Sequence, residues 1–560
     1  MITSHSCSPG LSLVLTTALL STGCQSVTGR EARLPASPLD HGGAEIGAAG
    51  PVAVRPREAP VVYRLPFQSE RELWGYNPRF MPTSAVAFGL NNRPFIRASR
   101  PDRDAGDGTE DGFIQTLGST GRWGAHSITD ILGHELNASQ VSIATGVRAY
   151  DTRVVCDNVG DLYALVRVLE PVKGWFLLHR PADSGTWSVY ELAMGGRLER
   201  TDPYRGGQRP PMIVGHADGR LALTCLEKTT DGTLTIGEAI RFAPGGSGLN
   251  PAHSGAGPVA ATVGDMTYLV CAGTQPVRKN DVPTNGAPFR SPKLAEAEAG
   301  PHHPGTPQYV VCYDHPTGMV TDPVLLGFGQ NPYTPKPDNH NGPAIVADSR
   351  GLLHVVLGAH QHNFWYVRAM KPNPQGKRDW SNPEPLGFRR RYDCGLTYVA
   401  LVIDSRDRLH LVARNVSRGH DRDGNPLPAD EMNADSMMRT LDYFRGSRQA
   451  DGSWKWEEKG ALVMPLWHRR YSIFYHKLAI DRKDRLFLTY SYFGAQLSDE
   501  ATVVYREKWP GEKIPDPPLK GMWMRPHDPA ILMSSDGGDT WRLALTQDFA
   551  AGASGTSFGR

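Results

Sequence analysis

A hairpin pattern that returns along most of the chain restricts this sequence to few folds. Each copy is an apolar strand, a turn of the form D-x-x-G or D-x-x-D, and a second apolar strand. The clearest copies are AIVADSRGLLHVV at 344–356, ALVIDSRDRLHLV at 400–412 and KLAIDRKDRLFLT at 477–489. Weaker copies keep the same frame: VAFGLNNRPFI from Val86, VVCDNVGDLYAL from Val154, MIVGHADGRLAL from Met212 and VAATVGDMTYLV from Val259. Their first turn residues are Gly89, Asp157, His216, Thr262, Asp348, Asp404 and Asp481, spaced about 65 residues apart on average, room for four short strands and their loops. Further strand candidates carry tryptophan: GTWSVYEL at 185–192, DWSNPEPLG at 379–387 and SWKWEEKG at 453–460. The expectation is an all-β, seven-bladed β-propeller of four-stranded antiparallel blades over 61–560, with 61–67 completing the last blade and the closed ring protecting sheet edges.

Composition agrees with short strands and many turns. Gly (60 residues) and Pro (45) are abundant among 560 residues, and no convincing amphipathic helix is visible. SSDGGDTW at 534–541 fits S-x-D-x-G-x-T-W, the Asp box of propeller outer turns, in which the Asp closes the turn and the Trp packs between blades. That motif speaks of fold, not catalysis. Three long segments rich in Pro, Gly and charge, 276–308, 418–436 and 507–529, are expected as rim loops walling a cleft.

The apolar run at 11–20 followed by Ser21-Thr22-Gly23-Cys24 resembles a bacterial lipoprotein signal, with Cys24 lipidated. Ten apolar residues are too few to span a bilayer. Residues 1–24 are therefore read as a signal peptide and 25–60 as a disordered tether. Together they imply an exported protein, secreted or held at the outer membrane or cell surface by a lipid. With Cys7 and Cys24 assigned there, Cys156, Cys225, Cys271, Cys312 and Cys394 remain, odd in number and widely spaced, as expected of buried single thiols. A net charge of +2 without a basic block gives no reason to expect nucleic acid. The chain is expected to be monomeric.

The hairpin frame also serves as a ruler. Around Arg350, His340 and His360 each lie ten residues out, so antiparallel pairing of strands at 343–347 and 352–358 would set them side by side. Around Arg406, Tyr398 and Arg414 each lie eight out, on the same face of the next blade. Tyr475 and Ser491 occupy these offsets one blade further on, and Asp151 with Arg167 fit it in blade two, where an interblade ion pair is the simpler account. His354 and His410 are equivalent strand positions and read as structural repeats. His360-Gln361-His362 lacks a third ligand at metal-binding spacing.

Two histidines, a tyrosine and an arginine suit one reaction better than another. Glycoside hydrolysis usually takes two carboxylates, and only Asp338 and Asp393 lie nearby in sequence. β-Elimination from a uronate needs its carboxylate neutralised, a base for the C5 proton and an acid for the departing O4. Arg414 suits the first task, since guanidinium grips carboxylate bidentately and keeps its charge. His340 suits the base, histidine titrating at about 6.5, and Tyr398, beside Arg414, could serve as base or acid, since a neighbouring cation lowers a phenol from its ordinary value of about 10. His360 would orient His340 or bind substrate.

The segment DNHNGPAIVADSRGLLHVVLGAHQHNF, followed by Tyr398 and Arg414, resembles the seven-bladed propeller ulvan lyases of polysaccharide lyase families 24 and 25, within the wider set of BNR-type repeat proteins. The resemblance extends from about 61 onward by repeat pattern and is specific between about 331 and 415. It implies that His340 and Tyr398 share acid and base work, Arg414 neutralises the uronate and His360 lines the site, with Tyr475 and His476 as further substrate contacts; Asn341 and Tyr392 are read beside them as substrate-binding candidates. It also implies an anionic, sulfated uronate polysaccharide as substrate and no cofactor for catalysis; a structural zinc or calcium is left open, its ligands unassigned. Two rival readings stand beside it, a sialidase-like glycoside hydrolase and a non-catalytic carbohydrate-binding propeller. The latter would stack sugars on Tyr333, Trp365, Tyr366 and Tyr392.

Overall fold

Seven antiparallel sheets stand in a ring in the computed structural model, which describes residues 52–53, 81–82, 84–99, 112–118, 121, 123–144, 153–182, 184–200, 210–230, 232–242, 249–250, 257–275, 277, 305–329, 340–386, 394–418, 437–463, 472–493 and 526–553. From the axis outward, blade 5 is Ala344–Ala347, Leu353–Leu357, Trp365–Arg368 and Glu384–Pro385. Blade 6 is Cys394–Ile403, Leu409–Arg418, Met437–Arg448 and Trp454–Val463, and blade 7 is Ser472–Ile480, Leu486–Phe493, Pro526–Ser534 and Thr540–Leu543. Blades 1, 2 and 4 begin at Ala87–Phe88, Val154–Cys156 and Ala260–Val263. The propeller expected from the repeat is therefore present, and the tryptophan-bearing segments supply outer strands of blades 2, 5 and 6.

The turn aspartates explain how this short motif builds blades 2, 5, 6 and 7. Asp348 accepts backbone N–H bonds from Arg350 and Leu352 (3.0 and 2.8 Å), and Asp404 from Arg406 and Arg408 (3.0 and 2.8 Å). Asp481 and Asp157 do the same in blades 7 and 2. Each carboxylate thus occupies the donors that a tight turn leaves open. His354 and His410 prove equivalent, as expected: each lies flat beside a tyrosine and bonds its hydroxyl, His354 to Tyr366 (2.6 Å) and His410 to Tyr443 (2.7 Å).

Neighbouring turns interlock by one rule. The second residue of one turn meets the fourth residue of the next. Ser349 donates its backbone N–H to Asp407 (2.8 Å) and its hydroxyl to the same carboxylate (2.6 Å), and Ser405 engages Asp484 the same way. Arg482 donates its backbone N–H to Asn92 (2.8 Å), joining the last blade to the first. Where the fourth residue is glycine the contact is apolar: a Cβ at Gly160 would lie 2.8 Å from Leu90, and one at Gly351 would lie 2.8 Å from Val263.

Blade 3 breaks the frame. Its axial strand is Gly196–Glu199, so the hairpin from Met212 forms the second and third strands, Met212–Ala217 and Arg220–Lys228. Asp218 and Gly219, with φ of 51° and 73°, make a two-residue hairpin turn, which looks like the repeat in sequence but lacks its buried carboxylate.

Other expectations need correction. Two eight-residue helices occur among the described residues, Ile128–Glu135, capped by Ser127, and Thr546–Ala553. Val52–Ala53, inside the stretch read as a tether, pairs with Thr540–Trp541 at the outer edge of blade 7, while the 61–67 segment expected there lies outside the described residues, as do Cys24, Asp151 and most of the three long insertions. The insertions' edges are shorter than expected, since Thr306–Asp314 and Pro526–Ser534 are strands. The Asp box behaves as expected: Asp536 accepts from the Thr540 N–H (2.9 Å), and Trp541 is fully buried against Tyr443 of blade 6. Cys156, Cys271 and Cys312 are buried free thiols. No helix among the described residues is long and apolar enough to cross a membrane.

Burial alone would raise the pKa of Asp404, yet its bonds to His410 and Arg408 hold it down at about 2. Asp404→Ala leaves His410 and two N–H groups without their acceptor and is expected to cost roughly 2–4 kcal/mol in urea denaturation; a loss under about 0.5 kcal/mol would refute the role given to the turn.

Candidate functional site

The axial strand of blade 6 runs toward the turn face, so Tyr398, six residues before Asp404, sits roughly 20 Å away toward the opposite face. At that height the axial strands stop being regular. In blade 6 the register slips between Thr397 and Ala400, and in blade 7 between Phe474 and Lys477. In blade 1 the axial position is shared by two short strands, Met81–Pro82 and Ala87–Phe88, both paired with Pro94–Ser99.

The bulge corrects one expectation from the sequence ruler. Arg414 pairs with Thr397, and Tyr398 occupies the bulge with φ of 64°, in the left-handed region that a bulky residue rarely adopts. Such a conformation costs of order 1–3 kcal/mol and persists only where surrounding packing enforces it. The result still joins the expected partners: the Arg414 guanidinium lies over the Tyr398 ring, 4.6 Å from its centroid, and both residues are 2% exposed.

The histidine pair also forms, by a different route. His360–His362 is a separate strand on the axial edge of blade 6, with His360 opposite Thr397, and so does not continue the blade 5 hairpin. His340 and His360 stack with centroids 4.5 Å apart at 30°, and His340 stands 5.7 Å from Tyr398. Blades 5 and 6 therefore bring His340, His360, Tyr398 and Arg414 into one continuous cluster.

The remaining expected contacts take other places. Asn341 is fully buried and donates to Thr306 (3.0 Å), while Gln308 donates to its carbonyl (2.6 Å), so it anchors the segment carrying His340. His476 is fully buried beneath Tyr398, ring centroids 6.5 Å apart, and its Nε2 lies 3.1 Å from the Val412 carbonyl. Burial pulls its pKa down to about 3 and that of His362 to about 4, so both stay neutral at ordinary pH. Tyr366 is 1% exposed and bonded to His354, which excludes it as a sugar-stacking surface. Tyr475 lies in the axial strand of blade 7, and Tyr333, Tyr392, Asp338 and Asp393 lie outside the described residues. No group of three or more metal-ligating side chains occurs among the described residues.

Sequence reasoning missed a buried polar strut that reaches the bulge from across the ring. Arg153 of blade 2 and Arg197 of blade 3 both donate to the Gly257 carbonyl (2.8 Å each). Glu199, fully buried, lies 2.9 Å from Arg197 and 3.6 Å from Arg153. Gly257 in turn abuts the bulge, since a Cβ there would fall 2.5 Å from the Val399 carbonyl oxygen. A glycine in a stretch outside any repeat carries no signal of this in sequence.

Comparison with known proteins adds little. No family model matches the chain. No curated protein matches it. Among solved structures, it is similar to an ulvan lyase of polysaccharide lyase family 25 at 13% identity and a TM-score of 0.31, over 52% of this chain and 55% of that one, so the match spans about half the length of the lyase. It is also similar to a protein of unknown function from Dyadobacter fermentans (11% identity, TM-score 0.34, 76% and 95% covered) and to an α-L-arabinanase from Penicillium chrysogenum (13%, 0.29, 60% and 87%). The fold rests on the strand pairing itself.

Two outcomes are expected. Gly257→Ala should destabilise the protein by roughly 1–3 kcal/mol through overpacking against the bulge, read by thermal or urea melts, and unchanged stability would mean that the contact is not tight. Buried His354, His362, His410 and His476 all bind protons less readily than in the unfolded chain, burial being the main cause. The unfolded state therefore gains protons first as pH falls through about 6.5, and stability should decline from there toward pH 4; identical urea midpoints at pH 7.5 and 5 would contradict this.

Proposed function

We propose that this propeller is a polysaccharide lyase that cleaves a uronate-containing, sulfated, ulvan-like polysaccharide by β-elimination. The observation that carries the reading is the contiguous cluster of guanidinium, phenol and imidazole: Arg414 over Tyr398, and Tyr398 beside the stacked His340 and His360. Elimination divides into tasks that these groups can perform. Arg414 holds the uronate carboxylate and offsets the charge that develops there as C5 loses its proton. Either Tyr398 or His340 takes the C5 proton, the C5–H electron pair forms the C4–C5 double bond, and the C4–O4 bond breaks. The departing O4 receives a proton from the other of the two, or from the same residue after it has been protonated.

The surroundings support these roles. The guanidinium over the ring puts a fixed positive charge beside the group that would act at C5. His476 beneath Tyr398, kept neutral by burial, adds no competing charge there. The strained bulge fixes Tyr398 against Arg414 before substrate arrives, so that little ordering remains to be done during reaction. The specific likeness of 331–415 to the ulvan lyases points to the same four residues.

Incubation with a panel of uronate polysaccharides, followed at the ultraviolet absorbance of the unsaturated uronyl product, tests the reading. Arg414→Ala and Tyr398→Phe should each lower kcat/KM by roughly 10²–10⁴ fold, and His340→Ala by a comparable factor. New reducing ends without that absorbance would replace the proposal with hydrolysis. Binding without cleavage would replace it with a carbohydrate-binding role, and full activity in Arg414→Ala would remove Arg414 from the site.

A further inference from the structure

A second cluster, remote from Tyr398, gathers positive charge without compensating it. Arg93 follows the blade 1 turn, and Arg180 ends a strand of blade 2 opposite Leu162, next to the Asp157–Asp161 turn, so both lie on the turn face. The two guanidinium carbons each stand 5.6 Å from the Phe95 ring centroid, and Arg180 also covers Trp187 at 5.3 Å. His126 completes the group, its Nε2 accepting from Arg180 Nη1 at 3.3 Å, its ring 6.1 Å from Trp187.

Neither arginine has a carboxylate within ion-pair distance among the described residues, whereas Arg350, Arg408, Arg445, Arg485 and Arg542 all do. Arg93 spends its Nε on Thr116 (3.0 Å) and the Leu117 carbonyl (2.9 Å), which aligns the guanidinium but does not neutralise it. Among the described residues, its terminal nitrogens, and Nε and Nη2 of Arg180, donate to no protein acceptor. The buried Trp187 indole N–H has none there either. Burial, then Arg180, then Arg93, lowers the pKa of His126, so its imidazole adds no third charge at neutral pH. Two like charges held beside partly apolar walls raise the local potential and leave a set of forked donors. Phe95 and Trp187, 4% and 8% exposed, hold Arg180 in place.

We infer that the junction of blades 1 and 2 on the turn face is an oxyanion-binding site, formed by Arg93 and Arg180, that takes a sulfate or carboxylate group. The geometry stands independently of the reaction proposed for the opposite face. The same chemistry can be presented by a free inorganic anion or by an acidic group of a polysaccharide, and the two sources are separable by experiment.

The test uses the full chain carrying Arg414→Ala, so that the other face neither cleaves nor grips a uronate. Melting temperature and calorimetric binding are measured with sodium sulfate against sodium chloride at equal ionic strength, then with a sulfated polysaccharide and an unsulfated polyuronate. A sulfate-specific rise in melting temperature and saturable binding are expected, weakened at least tenfold by Arg93→Gln, an exposed position where folding is not at stake, and by Arg180→Gln. Tighter binding of either polymer than of sulfate, with the same loss in both variants, would assign the site to polysaccharide; binding of sulfate alone would assign it to a free anion. Equal responses to sulfate and chloride, or sulfate binding unchanged in both variants, would overturn the inference.

Discussion

Blades 2, 5, 6 and 7 each depend on a carboxylate buried in a turn. An aspartate at the first turn position takes up two backbone N–H groups, and this fixes where one strand ends and the next begins. Because that position is fixed, the second and fourth residues of adjoining turns meet at the same height around the ring. Ser349 to Asp407 and Ser405 to Asp484 are the polar version, Leu90 on Gly160 the apolar one. Register within a blade and spacing between blades thus come from one short motif. That economy leaves the far ends of the axial strands free to depart from regularity.

The departures are where the candidate chemistry lies. Continued without a break, the ladder that pairs Ala400 with Val412 would set Tyr398 directly opposite Arg414. The bulge instead gives that place to Thr397 and turns the phenol beneath the Arg414 guanidinium. Left-handed backbone at Tyr398 is unfavourable alone, so something must enforce it. Gly257 approaches the Val399 carbonyl from the axis, backed by two arginines and a glutamate from blades on the other side. The site is therefore assembled from residues of blades 5 and 6 and braced through blades 2, 3 and 4.

How much of this can be read in the sequence follows from how local each signal is. The D-x-x-G/D turn is local chemistry, so blades 5, 6 and 7 are legible residue by residue, and the Asp box likewise. His340, His360, Tyr398 and Arg414 are legible as a group because their offsets are even. Their true pairing is not, since a bulge inserts one residue without changing composition, and His360 leaves its own blade after Gly358. Blade 3 misleads because Asp218-Gly219 is an equally good turn of another type. Asn341 and His476 pass for substrate contacts in the sequence because a polar residue in a repeat does not reveal its burial. The strut through Glu199 joins residues far apart along the chain, and no periodicity announces it.

The junction between the last and first blades has a consequence for the order in which the molecule can be made. Arg482 bonds the Gly89 carbonyl (2.9 Å) and, through its N–H, Asn92. Trp123 of blade 1 donates its indole N–H to Thr546 (2.9 Å), at the start of the helix that also packs Phe549 against Trp123 and Phe487. During synthesis from the N-terminus, blade 1 is complete some four hundred residues before Thr546 exists. Until then the Trp123 indole and the Asn92 side chain await the partners that blade 7 and its helix supply. The ring can close only once blade 7, through Arg482, and the helix that follows it have reached blade 1.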